Sequence, residues 1–151
     1  MKVVAQRVHS ASVEVEGKVV GKIGKGLVLL IGVAETDTES DVEFVSNKCA
    51  HLRIFQDEQG KMNRSVIEEN GEVLAISQFT LLGDTRRGRR PSFITAANPG
   101  KGERLYEHFI NILRMNGLHV ETGIFGAMMN VHLINTGPVT IIVESKDNGD
   151  D

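Results

Sequence analysis

The chain of 151 residues carries one cysteine and no tryptophan. A lone Cys49 excludes an internal disulfide framework and a multi-cysteine zinc site. Long apolar runs are missing too. The longest, Leu27 to Ile31, falls far short of the ~20 residues a membrane span needs. The opening Met1-Lys2-Val3-Val4-Ala5-Gln6-Arg7 offers no uninterrupted apolar stretch for a signal peptide. There is no Gly-x-Gly-x-x-Gly, no Gly-x-x-x-x-Gly-Lys-Ser/Thr, no His-Glu-x-x-His and no Gly-x-Ser-x-Gly, which sets aside the common nucleotide, zinc-protease and serine-hydrolase signatures. His9, His51, His108, His119 and His132 sit far apart, without ligand-pair spacing, so no metal site is expected. What remains is ordinary: 40% hydrophobic, 25% charged, as in soluble globular proteins. The length suits one domain, burying roughly 70% of its unfolded surface. A single cytoplasmic domain is the expectation.

Charge is unevenly spread. The formal total is −3, and residues 144–151 alone, with four acids and one base, account for it. The rest of the chain balances at 16 acids and 16 bases. Within that neutral body Arg86, Arg87, Arg89 and Arg90 crowd around Gly88. Like charges this close repel, so the segment reads as a solvated loop. It is either a plain surface loop or one awaiting an anion. Phosphate suits it, because the arginine fork donates bidentate hydrogen bonds and local field outweighs net charge at a contact.

Periodicity predicts a β-rich α+β domain of eight to ten strands and two helices. Val13, Val15, Val19 and Val20 flank a Glu16-Gly17-Lys18 turn. The continuous apolar run over residues 27–33 predicts a central strand buried on both faces. Thr36-Asp37-Thr38-Glu39 carries cap chemistry, and Val42, Val45, Cys49 and Leu52 follow at helical spacing, predicting a helix over about residues 38–51. Cys49 on that stripe reads as a small buried hydrophobe rather than a nucleophile. Leu52 to Phe55 reads as a strand ending at Asp57-Glu58-Gln59-Gly60, and Asn70-Gly71 as a two-residue hairpin turn leading into a strand over residues 73–81. Pro99 and Gly117 bracket a second helix with a buried stripe of Leu105, Phe109, Ile112 and Leu113. Strands near Leu118–Glu121, Met129–Asn135 and Val139–Glu144 close the chain.

Two segments stand out chemically. In Ser77-Gln78-Phe79-Thr80-Leu81, strand alternation sends Ser77, Phe79 and Leu81 to one face and Gln78 and Thr80 to the other. An apolar strand ending in polar side chains beside an arginine loop forms either a pocket mouth or a strand end whose hydroxyls satisfy nearby backbone. A hydroxyl nucleophile needs a base, and none lies nearby in sequence. Asn135-Thr136-Gly137-Pro138-Val139-Thr140 interrupts two apolar strands. Glycine permits unusual dihedrals and proline removes a donor there.

Taken together, these two segments resemble the signature motifs of the D-aminoacyl-tRNA deacylases. The resemblance runs from Met1 to about Lys146 and takes in Gln6-Arg7-Val8, Arg89-Arg90-Pro91-Ser92-Phe93 and Phe125-Gly126-Ala127-Met128-Met129. It covers residues 1–146 as one domain, with 147–151 as an acidic tail expected to be disordered. It implies the fold of that family, mixed and antiparallel sheets in a barrel-like core with two main helices.

It further implies a cofactor-free, metal-free homodimer with active sites at the subunit interface, acting on D-aminoacyl-tRNA without membrane or DNA partners. Ser77, Gln78, Phe79 and Thr80 would be the catalytic segment; Gly137, Pro138, Met129 and Arg7 would bind substrate; Arg86, Arg87, Arg89 and Arg90 would hold tRNA. The Gly137-Pro138 bond would be cis and face the other copy's Ser77–Thr80 segment. The reaction would cleave the ester joining a D-amino acid, or glycine mischarged on tRNA(Ala), to the terminal ribose. Rigid backbone where an L-side chain must project would reject it by clash, while glycine, with hydrogen on both sides, would pass. Backbone N–H groups near Phe79 and Thr80 are candidate oxyanion donors. Either Thr80 or the adjacent ribose 2′-hydroxyl would assist, with the absence of a protein base favouring the ribose. The rival readings are an editing-type domain like that attached to archaeal threonyl-tRNA synthetases, and a non-catalytic RNA-binding dimer using the arginine loop.

Overall fold

A computed structural model describes residues 1–145; the expected acidic tail lies outside the described residues. The long strand β1 (Lys2–Val15) organises the sheet. One edge pairs antiparallel with β8 (Asn130–Glu144) along nearly its whole length. The other edge is shared, with β3 (Gly26–Gly32) opposite Lys2–Val8 and β2 (Lys18–Ile23) opposite Ala11–Val15. Beyond β3 the sheet turns parallel, through β6 (Glu72–Ser77) to β7 (His119–Thr122). Parallel neighbours need long crossovers, and the two helices supply them: α1 (Glu39–His51) between β3 and β6, α2 (Pro99–Met115) between β6 and β7. A two-stranded ribbon, β4 (Phe55–Gln56) with β5 (Met62–Arg64), sits apart from the main sheet. Strand β2 curls over β6 and β7. Its Gly21 approaches β7 so closely that a Cβ would stand 2.7 Å from the Thr122 carbonyl oxygen. The result is a nearly closed barrel in an α+β domain, as expected.

Strand β3 is buried on both faces, as its unbroken apolar run predicts. Leu27, Leu29 and Ile31 face the helices and join Val42, Val45, Cys49, Leu105, Phe109 and Leu113. Val28 faces the barrel interior with Val8, Val13, Ile23, Leu74 and Ile76. Each such side chain contributes about 1.5–3 kcal/mol relative to exposure. Both helices start on the chemistry that the sequence supplies. The Asp41 carboxylate accepts the Thr38 N–H at 2.8 Å, half of a capping box, and the Asn98 side chain accepts from the Lys101 N–H at 3.0 Å with Pro99 at the first turn. Gly117, at φ +85°, follows the end of α2. The predicted stripe of Leu105, Phe109, Ile112 and Leu113 is buried. The ammonium of Met1 is buried against Asp37, 2.7 Å from Oδ1, and donates to Ser145 Oγ at 2.9 Å. This ties the start of β1 to the approach to α1 and the end of β8.

Three expectations are corrected. Leu52–Phe55 is not a strand: Leu52 caps α1 with extended dihedrals, and regular pairing starts only at Phe55. Asn70-Gly71 does not join a hairpin. The preceding segment closes on itself, with Ser65 N–H donating to Glu68 Oε1 at 2.9 Å and Gly71 N–H to the Val66 carbonyl at 2.9 Å, so β6 finds its partners in β3 and β7. The two final strands are one, because β1 templates both halves of β8 across the Gly137-Pro138 interruption.

Candidate active site

Strand β6 pairs with β3 as far as Ser77 opposite Ile31. Gln78 N–H still donates to the Ile31 carbonyl at 2.8 Å, and then the chain winds into a 3-10 turn over Phe79–Leu82. The predicted strand to Leu81 therefore ends four residues early, and the two-face alternation stops with it. Gln78 and Thr80 are brought together within the turn, the Gln78 amide donating to Thr80 Oγ1. The first N–H groups of a helical turn have no partner inside it. Among the described residues neither the Phe79 nor the Thr80 N–H donates to a protein acceptor. No carboxylate, imidazole or amine bonds to Thr80 Oγ1 among them. Phe79 is 55% exposed as a residue, and its ring meets Phe93 edge-on, ring centres 5.2 Å apart.

The second motif is a local excursion of β8. Its register passes from Asn135 opposite Val8 to Thr140 opposite Gln6, so residues 136–139 stand against Arg7 alone. Asn135 closes the base: its Oδ1 accepts the Val139 N–H at 2.7 Å and its Nδ2 donates to Thr140 Oγ1 at 3.0 Å. Val139 is buried in the core, which anchors the returning limb. Arg7, only 8% exposed, grips the outgoing limb. Its Nε donates to the Thr136 carbonyl at 3.0 Å and its Nη1 to the Ile54 carbonyl at 2.8 Å. Gly137 sits at φ +134°, and a Cβ there would fall 2.7 Å from a Val139 methyl and 3.0 Å from Arg7 Nη2. Only glycine fits both the dihedral and the space. The Gly137-Pro138 bond is cis. Behind the excursion a cleft of about 400 Å³ opens between Arg7, His9, Phe55 and Thr136.

The arginine loop follows the 3-10 turn directly. Asp84 and Ser92 exchange backbone hydrogen bonds of 2.8 and 2.9 Å, closing the loop at its neck. Arg86, Arg87, Arg89 and Arg90 are all exposed. Arg86 is engaged by Asp84, with Nε 2.9 Å from Oδ1 and Nη2 2.8 Å from Oδ2. That arginine holds the Asp84 carboxyl down to about 2. Met129 lies apart from both motifs, before β8, packed on the barrel-interior cluster, with its sulfur 2.5 Å from where a Gly123 Cβ would stand. Cys49 is fully buried, and desolvation pushes its thiol up to about 12.

Arg7 and Gly137 are thus brought together, and Ser77–Thr80 with the arginine loop. The two groups are not joined within one chain. Ser77 stands across β3 from Val3 of β1, whereas Gly137 stands beside Arg7 on the far edge of β1. Four residues along a strand and three strands across amount to on the order of 20 Å. Asp84 falls outside every sequence motif, and Phe93 and Asn135 belong to the Arg89–Phe93 and Asn135–Thr140 segments without an individual role read from the sequence. The only trace of the Asp84–Arg86 pair there is an acid two residues before an arginine.

The chain is thus a mixed, nearly closed barrel with two packed helices, carrying an unpaired amide turn and an arginine-gripped glycine. The chain belongs to the D-Tyr-tRNA(Tyr) deacylase family, whose model matches residues 4–144. A D-aminoacyl-tRNA deacylase of Brevibacillus brevis is 60% identical over 145 residues, covering 96% of this chain and all of the relative. One from Bacillus cytotoxicus is 58% identical over 146 residues, covering 97% of this chain and all of the relative. Among solved structures, the c-Myc DNA Unwinding Element Binding Protein superposes with a TM-score of 0.92 at 40% identity, covering 97% of this chain and all of that one. A probable eukaryotic D-amino acid tRNA deacylase, at TM-score 0.82 and 19% identity over 95% of this chain and 98% of that one, shares the fold.

Proposed function

We propose that this chain hydrolyses the ester joining a D-amino acid, or glycine mischarged on tRNA(Ala), to the terminal ribose of tRNA, and that it does so as a cytoplasmic homodimer. The observation that carries this reading is the separation of the two motifs. Ser77–Thr80 supplies unpaired amides but no wall, and Gly137-Pro138 supplies a braced wall but no donors. A second copy, presenting its Gly137-Pro138 to the first copy's Ser77–Thr80, completes both sites at once, as two-fold symmetry requires. Exposed Ile134 and Ile142 on β8 offer apolar surface for that contact.

In this site the substrate carbonyl lies against the Phe79 and Thr80 N–H groups, which stabilise the oxyanion as water attacks. The carbon–oxygen bond to the ribose breaks, and the ribose oxygen takes up the proton that the attacking water gives up. Thr80, its hydroxyl oxygen accepting from Gln78 and bonded to no base among the described residues, orients rather than attacks. The neighbouring ribose 2′-hydroxyl assists proton transfer. Ser77 and Gln78 line the site. An L-side chain would run into main chain at Gly137-Pro138, held by Arg7 and Asn135, whereas a D-side chain or hydrogen would not; a wall held this firmly discriminates by clash. Met129 lies apart from both motifs within one chain, so its substrate-binding role is proposed only for the pocket shared with the second copy. Arg86, Arg87, Arg89 and Arg90 hold tRNA phosphates.

The test is to incubate D-Tyr-tRNA and L-Tyr-tRNA separately with the chain and count surviving ester. Loss of the D-ester alone is expected. Equal loss of both sinks chiral proofreading, and loss of neither leaves a non-catalytic tRNA-binding dimer. Sedimentation at assay concentration is expected to return a dimer; a monomer with full activity sinks the shared site.

A further inference from the structure

The 3-10 turn over Phe79–Leu82 has no side-chain cap, yet it must hold two amides in one orientation. Two glycines and one aromatic ring bound it. Beneath it, Gly32 ends β3 where a Cβ would stand 2.7 Å from a Leu82 methyl, 3.1 Å from the Gln78 carbonyl oxygen and 3.1 Å from Leu81 Cβ. After it, Gly83 has an ordinary φ of −62°, so its lack of a side chain serves space, not dihedral freedom. A Cβ at Gly83 would meet Phe93 Cε1 at 3.0 Å, the Thr80 carbonyl oxygen at 3.0 Å and Pro91 Cβ at 3.4 Å. Phe93 fills the remaining side, edge-on to Phe79, and Thr95 Oγ1 donates to the Leu82 carbonyl at 3.4 Å. The same segment forms the neck of the arginine loop, through Ser92 bonded to Asp84.

We infer that Gly32, Gly83 and Phe93 are positioning residues that fix the Phe79 and Thr80 amides, and that Phe93 couples the arginine loop to them. The inference rests on the oxyanion role given above to those amides. Phe93 touches Phe79 rather than the reacting carbonyl in this arrangement. Its edge-to-face contact restrains the Phe79 main chain, and the Gly83 gap lets Phe93 and Pro91 close on the Thr80 carbonyl. Preorganised donors lose effect when displaced by fractions of an ångström. Phosphate contacts at Arg87, Arg89 and Arg90 would then reach the amides through residues 91–93.

The test uses the full chain with Phe93→Leu, Phe93→Tyr and Gly83→Ala, in D-Tyr-tRNA turnover and in amide NMR spectra. Phe93→Leu and Gly83→Ala are expected to lower kcat about ten-fold, with KM within two-fold, and to move the Phe79 and Thr80 amide resonances. Phe93→Tyr, which keeps the ring edge, is expected to restore both. A Phe93→Leu enzyme with wild-type kcat and unmoved resonances overturns the positioning role while leaving the deacylase reading intact, and so does a loss confined to KM. A wild-type chain that leaves D-Tyr-tRNA untouched overturns the deacylase reading, and the inference with it.

Discussion

The buried guanidinium of Arg7 donates to the carbonyl of Thr136, the residue that leads into Gly137. A second donor from the same fork reaches the Ile54 carbonyl, so one side chain ties the β8 excursion to the segment after α1. Lysine carries the charge but lacks the planar fork. Arg7→Lys is expected to leave one buried carbonyl unpaired, costing about 1–3 kcal/mol of stability, and to loosen the Gly137 wall. The D/L hydrolysis ratio should fall at least several-fold while D-Tyr-tRNA turnover falls less. Side-by-side turnover of both esters, with a urea melt, measures the two effects. An unchanged ratio would remove Arg7 from the gate.

Thr80 Oγ1 accepts from Gln78 and meets no base among the described residues. Thr80→Val and Thr80→Ser are therefore expected to keep turnover within about ten-fold of wild type, whereas losing a proton-transfer group costs about 10²–10⁴-fold. A D-Tyr-tRNA ending in 2′-deoxyadenosine should show that larger loss. Full activity on the deoxy substrate would end the ribose-assisted route, and an inert Thr80→Val would restore Thr80 as the reacting group.

Asp84 already satisfies Arg86 through two side-chain contacts. Among the loop arginines, Arg87→Ala, Arg89→Ala and Arg90→Ala should each weaken tRNA binding and reduce the slope of log affinity against log salt by about one, the loss of one phosphate contact. Arg86→Ala should do less. Filter binding across a salt series distinguishes them, and a salt-insensitive affinity would rule out phosphate contacts altogether.

Burial raises the Cys49 thiol to about 12 from an ordinary value near 9. Below pH 9 the thiol is protonated whether the chain is folded or not. Between pH 9 and 12 the unfolded chain releases a proton that the folded chain keeps, so stability falls as pH rises through that window. Native protein at pH 8 should resist iodoacetamide and become labelled only as urea unfolds it. Rapid labelling of the folded chain would place the thiol at the surface.

Much of the fold is visible in the sequence because its signals are local and strong. Thr38 before the Val42, Val45 and Cys49 stripe, Pro99 and Gly117, and the apolar run at Leu27 each name an element that forms where expected. The failures share a physical cause. Phe79-Thr80-Leu81 has strand composition, yet β3 stops at Gly32 and leaves no ladder to extend. Asn70-Gly71 has turn chemistry, but Ser65 and Glu68 close the preceding segment before a hairpin strand forms. Gly137-Pro138 breaks the local pattern, while β1, distant in sequence, carries β8 across the break. The two motifs of the site are legible through family resemblance. Their separation in one chain, the Arg7 bracket and the Phe79–Phe93 contact exist only once the barrel closes.

The proposed dimer, in which each copy carries half of two different sites, has a genetic consequence. A chain with a bulky side chain at Gly137 that blocks its partner's pocket, and another with the Phe79 and Thr80 amides displaced by a bulky side chain at Gly83, are each expected to be inert alone. Mixed and allowed to exchange partners, half of the pairs become hybrids in which one pocket inherits both damaged halves and the other inherits none. Complementation to about a quarter of wild-type activity is the expected ceiling for free two-fold pairing.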